Sequence, residues 1–200
     1  ELNIPVTNEV EVAYSLLPED VKIISITGSN GKTTTTTLIY EFLKEAGFPV
    51  HLGGNIGFPL CSILSDIKKG DILVLEISGH QQHDFIHYHS DIVVMTNLSE
   101  VHLDFFGTYE NYKKNKSRIL HNQTKNDVAI LNLDNDDVLE VSKDILSKKL
   151  YFSSHVKADA DLEEDGIYYK GEPFMKCDEI RMKGVHNYEN IMAALLATKE

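Results

Sequence analysis

The stretch Ile23–Thr37, IISITGSNGKTTTTT, decides the fold. Ile23, Ile24 and Ile26 read as a short buried strand. The chain then turns through Gly28-Ser29-Asn30-Gly31, and Lys32 and Thr33 open a helix whose apolar positions include Leu38, Ile39, Phe42 and Leu43. A strand that feeds a glycine turn and then a helix N-terminus makes an anion site. Gly28 and Gly31 let backbone N–H groups converge on phosphate oxygens, and the helix dipole adds positive potential. Lys32 supplies a point charge for the β- and γ-phosphates, and the Thr33 hydroxyl suits a Mg²⁺ position. The long phosphate-loop pattern wants glycine where Ile26 stands, so the match is to a shortened form. The competing reading is an ordinary glycine-containing strand–helix turn.

Outward from this stretch the chain alternates strands and helices. A lead-in over residues 1–20 carries Asn8 as N-cap for a helix at Glu9–Leu17, closed by Pro18. After Gly47 come a short strand at Val50–Leu52, the loop Gly53–Gly57 and a helix at about Leu60–Ile67. Asp71–Ile77, DILVLEI, and Ile92–Met95 are near-continuous apolar runs, as in strands covered on both faces. Helical spacing returns at Tyr109–Leu120 and Asp136–Leu146, with strands at Val128–Leu131 and Leu150–Phe152. Residues 159–165, DADLEED, read as a solvated acidic turn. Ile167–Tyr169 and Phe174–Lys176 suggest a small antiparallel ribbon ahead of a last helix at Tyr188–Lys199. The expected class is α/β, a mostly parallel sheet flanked by helices. In such sheets ligands bind beyond the carboxyl ends of the strands, where Thr27, Glu76 and Thr96 fall.

Composition narrows the function. The 200-residue chain has 42% hydrophobic and 25% charged residues, in the ordinary globular range, and a formal net charge of -12. That balance argues against non-specific nucleic-acid binding. Cys61 and Cys177 have no metal or disulfide spacing, which points to a reducing cytosol. No apolar run reaches membrane-spanning length. The chain starts at Glu1 and ends inside a helical pattern, which reads as a piece of a longer protein.

Several residues stand out chemically. Glu76 ends an apolar strand, where a buried carboxylate needs a partner such as Mg²⁺ or else an exposed strand end. Tyr109, Tyr112, Lys116 and Ile119 share one helical stripe. Lys116 is therefore either a snorkelling lysine or a desolvated one able to add carbon dioxide as a carbamate. His102, with Asp104 in SEVHLDFFG, follows a strand and suits either a metal or a structural role. His80, His83, His87 and His89 fit no zinc spacing and read as a solvated connection. Asn55 sits in a glycine-rich loop, and Asn187 and Asn190 near a helix start, where turn geometry and capping compete with function.

Taken together, TGSNGKTTTT at 27–36, GGNIGFP at 53–59, LEIS at 75–78, TNLSEVHLD at 96–104, YKKNKSRI at 112–119 and GVHNYEN at 184–190 resemble the Mur ligase family. These are ATP-dependent amide ligases of peptidoglycan precursor synthesis. The resemblance implies that Ser29, Asn30, Gly31, Lys32, Thr33, Thr34 and Thr35 hold ATP phosphates, with Asn187 and Asn190 near adenine. It implies Thr33 and Glu76 on one Mg²⁺, and His102 with a carbamylated Lys116 on a second. Lys32, His102 and Lys116 would be catalytic, and Asn55, Ser78 and His102 would face the muramoyl-alanine end of the substrate. GNIGFP and EVEVAYSLLP look most like the D-glutamate-adding branch, which implies UDP-N-acetylmuramoyl-L-alanine and D-glutamate as substrates of a monomeric, cytoplasmic bacterial enzyme. Residues 1–20 would then be a linker from an N-terminal UDP-binding domain and 21–200 the central domain, with the amino acid positioned by a C-terminal domain. This chain alone would be inactive. Two features depart from the family pattern: Ser78-Gly79-His80-Gln81 stands where SSFQ is usual, and Val101 stands where Asp is usual. They bear on the amino-acid specificity and leave the phosphate loop undisturbed. Beside this reading stand another Mur ligase or a folylpolyglutamate synthase-like ligase, and a nucleotide-binding module without ligase chemistry, since a phosphate loop does not by itself imply a chemical step.

Overall fold

The computed structural model describes residues 6–200, so residues 1–5 of the expected linker lie outside the described residues. The lead-in forms α1 (Glu9–Tyr14), and the Asn8 side chain caps it by accepting from the Glu11 N–H at 2.9 Å. The helix stops short of Leu17 because the N–H groups of Leu16 and Leu17 donate to the carbonyls of Ala13 and Tyr14, the tighter pattern of a terminating turn.

β1 (Lys22–Thr27) and α2 (Lys32–Glu45) are the strand and helix of the glycine-turn stretch. β2 (Val50–Gly54) leads to α3 (Leu60–Ile63), which tightens into a 3₁₀ turn at Leu64–Asp66. β3 (Ile72–Glu76) is followed by α4 (Gly79–Gln82), and β4 (Ile92–Met95) by α5 (Leu103–Phe106). α6 (Tyr109–Lys116) ends in a 3₁₀ turn at Ser117–Leu120. β5 (Val128–Asn132), α7 (Asp136–Val141) and β6 (Lys148–Ser153) complete the alternating part. β7 (Ala160–Leu162), β8 (Gly166–Tyr169) and β9 (Glu172–Lys176) precede α8 (Val185–Lys199).

All nine strands join one sheet in the order β2-β3-β1-β4-β5-β6-β7-β8-β9. Pairing is parallel from β2 to β7 and antiparallel from β7 to β9. The expected α/β class and its terminal antiparallel ribbon are both present. The acidic stretch 159–165 differs from expectation. Ala160 and Asp161 are buried as part of β7, between β6 and β8, and only Glu163–Asp165 turns. Ladder pairing to Phe152 and Tyr169 outweighs the polar composition of the segment.

Strand alternation sorts the apolar side chains into two cores. Ile24, Ile26, Val74, Val94 and Ile130 face α2 and α8 on one side. Ile23, Leu73, Leu75, Val93 and Leu131 face Phe85, Tyr88, Tyr112 and Ile119 on the other. Parallel pairing also lines up the carboxyl ends of neighbouring strands, with Ile26 opposite Glu76, Gly54 opposite Glu76 and Thr27 opposite Met95. The β3, β1 and β4 ends thereby present the glycine turn, Glu76 and Thr96 on one edge.

Candidate active site

At this edge α2 begins without a side-chain cap. Its N-cap is Gly31, left-handed at φ 80, so no protein side chain takes up the first amides of a 14-residue helix. Orphan N–H groups and the helix dipole leave a ready anion site. The turn itself is clamped from outside. The Asn97 carbonyl accepts from Ser29 N–H at 2.8 Å, and its side-chain oxygen accepts from Asn30 N–H at 2.9 Å. The Thr96 hydroxyl donates to the Asn30 carbonyl at 2.6 Å. Gly28 lies so close that a Cβ there would run into the Thr96 hydroxyl, and a Cβ at Gly31 would run into the Asn190 side chain. The glycines are therefore required by close approach as well as by positive φ.

Glu76, 2% exposed, has both carboxylate oxygens engaged. The Thr33 hydroxyl donates to one at 2.7 Å and the Asn55 amide to the other at 2.8 Å. The Lys32 ammonium folds back onto the Ser29 carbonyl at 2.9 Å. Burial pushes its pKa down, and the Glu76 charge opposes that shift. Thr33 and Glu76 together offer hard oxygen donors of the kind Mg²⁺ takes, beside the uncapped helix N-terminus.

Lys116 is a buried lysine, 2% exposed on the inner stripe of α6. Its Nζ donates to the Thr27 hydroxyl at 2.9 Å and to the Gly28 carbonyl at 3.1 Å. Burial, then repulsion from Lys32, push its pKa down to about 7, against the pull of Glu76. No carboxylate ion-pairs with it among the described residues. A lysine held this way is largely neutral in mildly alkaline solution, so its amine is nucleophilic.

One cavity of about 440 Å³ brings together six of the residues singled out by sequence. Ser29, Lys32, Asn55, Ser78, His102 and Lys116 all line it. His102 takes a left-handed backbone at φ 55 immediately before α5. Its ring meets His80 edge-on, with centroids 5.5 Å apart. Ser78 caps α4 in a reciprocal box with Gln81. Asn190 and Asn187 stand apart from this cavity. Asn190 is buried behind the glycine turn, where its side-chain oxygen accepts from the Thr35 hydroxyl at 3.1 Å. Asn187 lies in the first turn of α8, which starts earlier than expected, and its amide donates to the Lys183 carbonyl.

The four histidines between β3 and β4 do not converge. His83 pairs with Asp84, His89 pairs with Asp127, and His80 lines the cavity. Sequence reasoning missed three supports. Asn97 clamps the turn, and the Tyr112 hydroxyl lies 2.8 Å from that of Ser29. Gln82 is fully buried and donates to the Thr27 hydroxyl at 2.6 Å, on the same oxygen that Lys116 reaches. A glutamine at a core position closing a four-residue helix was the available signal for it.

Comparisons with known proteins follow the same lines. The family described as the Mur ligase middle domain matches residues 26–198. A UDP-N-acetylmuramoylalanine–D-glutamate ligase of Streptococcus uberis is 41% identical over 98% of this chain and 43% of its own length. The protein of the same name from Geobacillus kaustophilus is 40% identical over 100% of this chain and 44% of its own. The chain thus spans less than half the length of these relatives. Among solved structures, a MurF ligase from Thermotoga maritima in complex with ADP superposes with a TM-score of 0.74 at 25% identity, over 94% of this chain and 47% of that one.

Proposed function

Since this chain belongs to the Mur ligase family, we propose that it is the central ATP-binding domain of an enzyme joining D-glutamate to UDP-N-acetylmuramoyl-L-alanine. Residues 21–200 form that domain, and α1 with its flanks is the linker from a UDP-binding domain. A further domain presents the amino acid. The observation that carries the reading is the Thr33–Glu76 hydrogen bond beside the uncapped N-terminus of α2, on the same cavity edge as Lys32 and Lys116.

The α2 amides and Lys32 receive the ATP phosphates. The alanine carboxylate of the nucleotide sugar lies in the cavity against Asn55, Ser78 and His102 and attacks the γ-phosphorus. The bond to the β–γ bridging oxygen breaks, giving an acyl phosphate and ADP. Lys32, poorly solvated and fixed, offsets charge on the transferring phosphoryl group. The amine of D-glutamate then adds to the acyl carbon. Phosphate leaves, a proton is released and the amide forms. Thr33 and Glu76 would hold one Mg²⁺. His102 would serve a second together with Lys116, which qualifies as a ligand only once carbamylated, since an ammonium group binds no cation. Bound magnesium supplies positive charge against the phosphate oxygens.

The deciding experiment assays the full-length protein with UDP-N-acetylmuramoyl-L-alanine and ATP against D-glutamate, L-lysine and diaminopimelate. The expected result is ADP release coupled to amide formation with D-glutamate alone. ADP release without amide product, or preference for a diamino acid, overturns the assignment.

A further inference from the structure

A second cavity lies behind the catalytic one. It measures about 320 Å³ and is lined by His83, Lys114, Arg118 and His121 together with Phe105 and Phe106, with no carboxylate in its wall. In a chain of net charge -12 that concentration of basic groups is unusual. Neither Lys114 nor Arg118 forms an ion pair among the described residues. Arg118 spends one Nη on the Phe85 carbonyl at 2.8 Å, while its Nε is buried without any hydrogen-bond partner. A buried guanidinium N–H left unpaired is costly, so the Arg118 charge is not fully compensated by its own surroundings. The positive potential is felt locally: burial, then repulsion by Arg118 and Lys114, push the His121 pKa down. His83 is compensated by Asp84 at 2.7 Å and His121 contacts the Ser117 hydroxyl at 3.3 Å, which leaves Lys114 and Arg118 as the uncompensated charges. The remaining wall is made of Phe105 and Phe106 with the amides of Asn111 and Asn115, and Phe105 is 54% exposed.

We propose that this pocket is a second anion site, holding the phosphate or carboxylate of a small molecule whose apolar body lies on Phe105 and Phe106. The Arg118 guanidinium, through the N–H groups not spent on Phe85, and the mobile Lys114 ammonium supply positive charge suited to an oxyanion. The two cavities share a wall: the Phe105 ring packs on His80 at 4.4 Å between centroids, and Phe106 packs on Tyr112 at 5.4 Å. The proposal stands independently of the ligase assignment, because none of its cations lines the catalytic cavity.

The test is calorimetric titration of the full-length protein with phenyl phosphate and, separately, benzoate, with the phosphate loop filled by a non-hydrolysable ATP analogue. Parallel titrations use Lys32→Ala, so that a failure of ATP binding cannot be mistaken for a failure of this site. One of the two probes is expected to bind once per chain, and which one does separates a phosphate from a carboxylate ligand. Lys114→Gln, at an exposed position, should weaken that binding at least fivefold, and Arg118→Lys should weaken it less. Absence of binding by both probes overturns the proposal, as does binding unchanged by Lys114→Gln. If an acidic segment of the longer protein fills the pocket, neither probe binds and the small-molecule reading fails.

Discussion

The two edges of the parallel sheet treat buried charge in opposite ways. At the carboxyl edge, Lys32 and Lys116 are held where their charged forms are disfavoured, and Lys116 has no carboxylate in hydrogen-bond contact. At the amino edge, Asp71 and Asp127 are held in their charged forms. The Lys68 backbone N–H and His51 at 2.7 Å keep the Asp71 carboxyl below its usual range. Burial alone would raise Asp127, but hydrogen bonds from His89 at 3.0 Å and from Thr124 outweigh it. Asp91 takes the Ile23 N–H at 2.7 Å at the same edge. These carboxylates stabilise strand starts, whereas the lysines opposite cost stability. The contrast teaches that one edge is built for the fold, while the other holds lysine charge that the fold itself disfavours, as the proposed ligand site requires.

The largest expected effect tests that division directly. In the full-length enzyme, Lys32→Ala or Glu76→Gln should lower the ligation rate by roughly 10²–10³-fold, the usual loss for a fixed group facing developing charge. Asp127→Asn should leave the rate within about twofold, since it touches nothing at the ligand edge. Coupled ADP-release assays on the three variants check this, and a comparable loss from Asp127→Asn would erase the distinction between the edges.

Stability sharpens it with the opposite sign. Lys116→Met should stabilise the unliganded protein by an amount on the order of a few kcal/mol at neutral pH, despite the lost hydrogen bonds to Thr27 and Gly28. The native pKa of Lys116 lies below its unfolded value, so the unfolded chain binds more protons between about pH 7 and the unfolded pKa. Wild-type stability therefore rises with pH across that window, and the advantage of the variant shrinks. Urea midpoints for both proteins at pH 7 and pH 9.5 measure it. A parallel pair of curves would mean that Lys116 keeps its proton.

Asp127→Asn should cost roughly 2 kcal/mol, the scale of hydrogen bonds to a charged group. Its carboxyl is depressed in the fold, so this contribution is complete above the unfolded carboxyl pKa and lost as pH falls through the native one. Urea midpoints of wild type and variant at neutral and acid pH should converge on acidification. A gap that persists at the acid end would assign the loss to packing instead.

Much of this was legible in the chain because the signals were local. Glycine turn, helix and apolar strands follow from periodicity and spacing over a few residues, and Glu76 and Lys116 stood out as charges on apolar elements. Asn97, Gln82 and Tyr112 did not announce their roles, because each acts through a partner 55 or more residues away in sequence. β7 was hidden for a different reason: its acidic composition points to a solvated turn, and only ladder pairing with the neighbouring β6 and β8 makes Ala160–Leu162 a strand. The basic pocket is invisible as a pattern because its cations come from two elements, the α4 end and the α6 region.

The smallest effect concerns how the costly edge is held in place. α6 carries Tyr112 and Lys116 into the site, and Thr108 starts it by accepting the Asn111 N–H on its hydroxyl at 3.2 Å. Thr108 is exposed and touches no charged group of the cavity. Thr108→Ala should therefore cost about 1 kcal/mol, the ordinary value of such a cap, and Thr108→Ser should restore most of it. If α6 is a rigid support fixed by its buried face, the catalytic rate of the full-length enzyme should not follow the stability loss. Urea midpoints and ligation rates for both variants decide the matter. A rate that falls with Thr108→Ala and returns with Thr108→Ser would mean that the cap positions Lys116, and that the two edges are less separable than their electrostatics suggest.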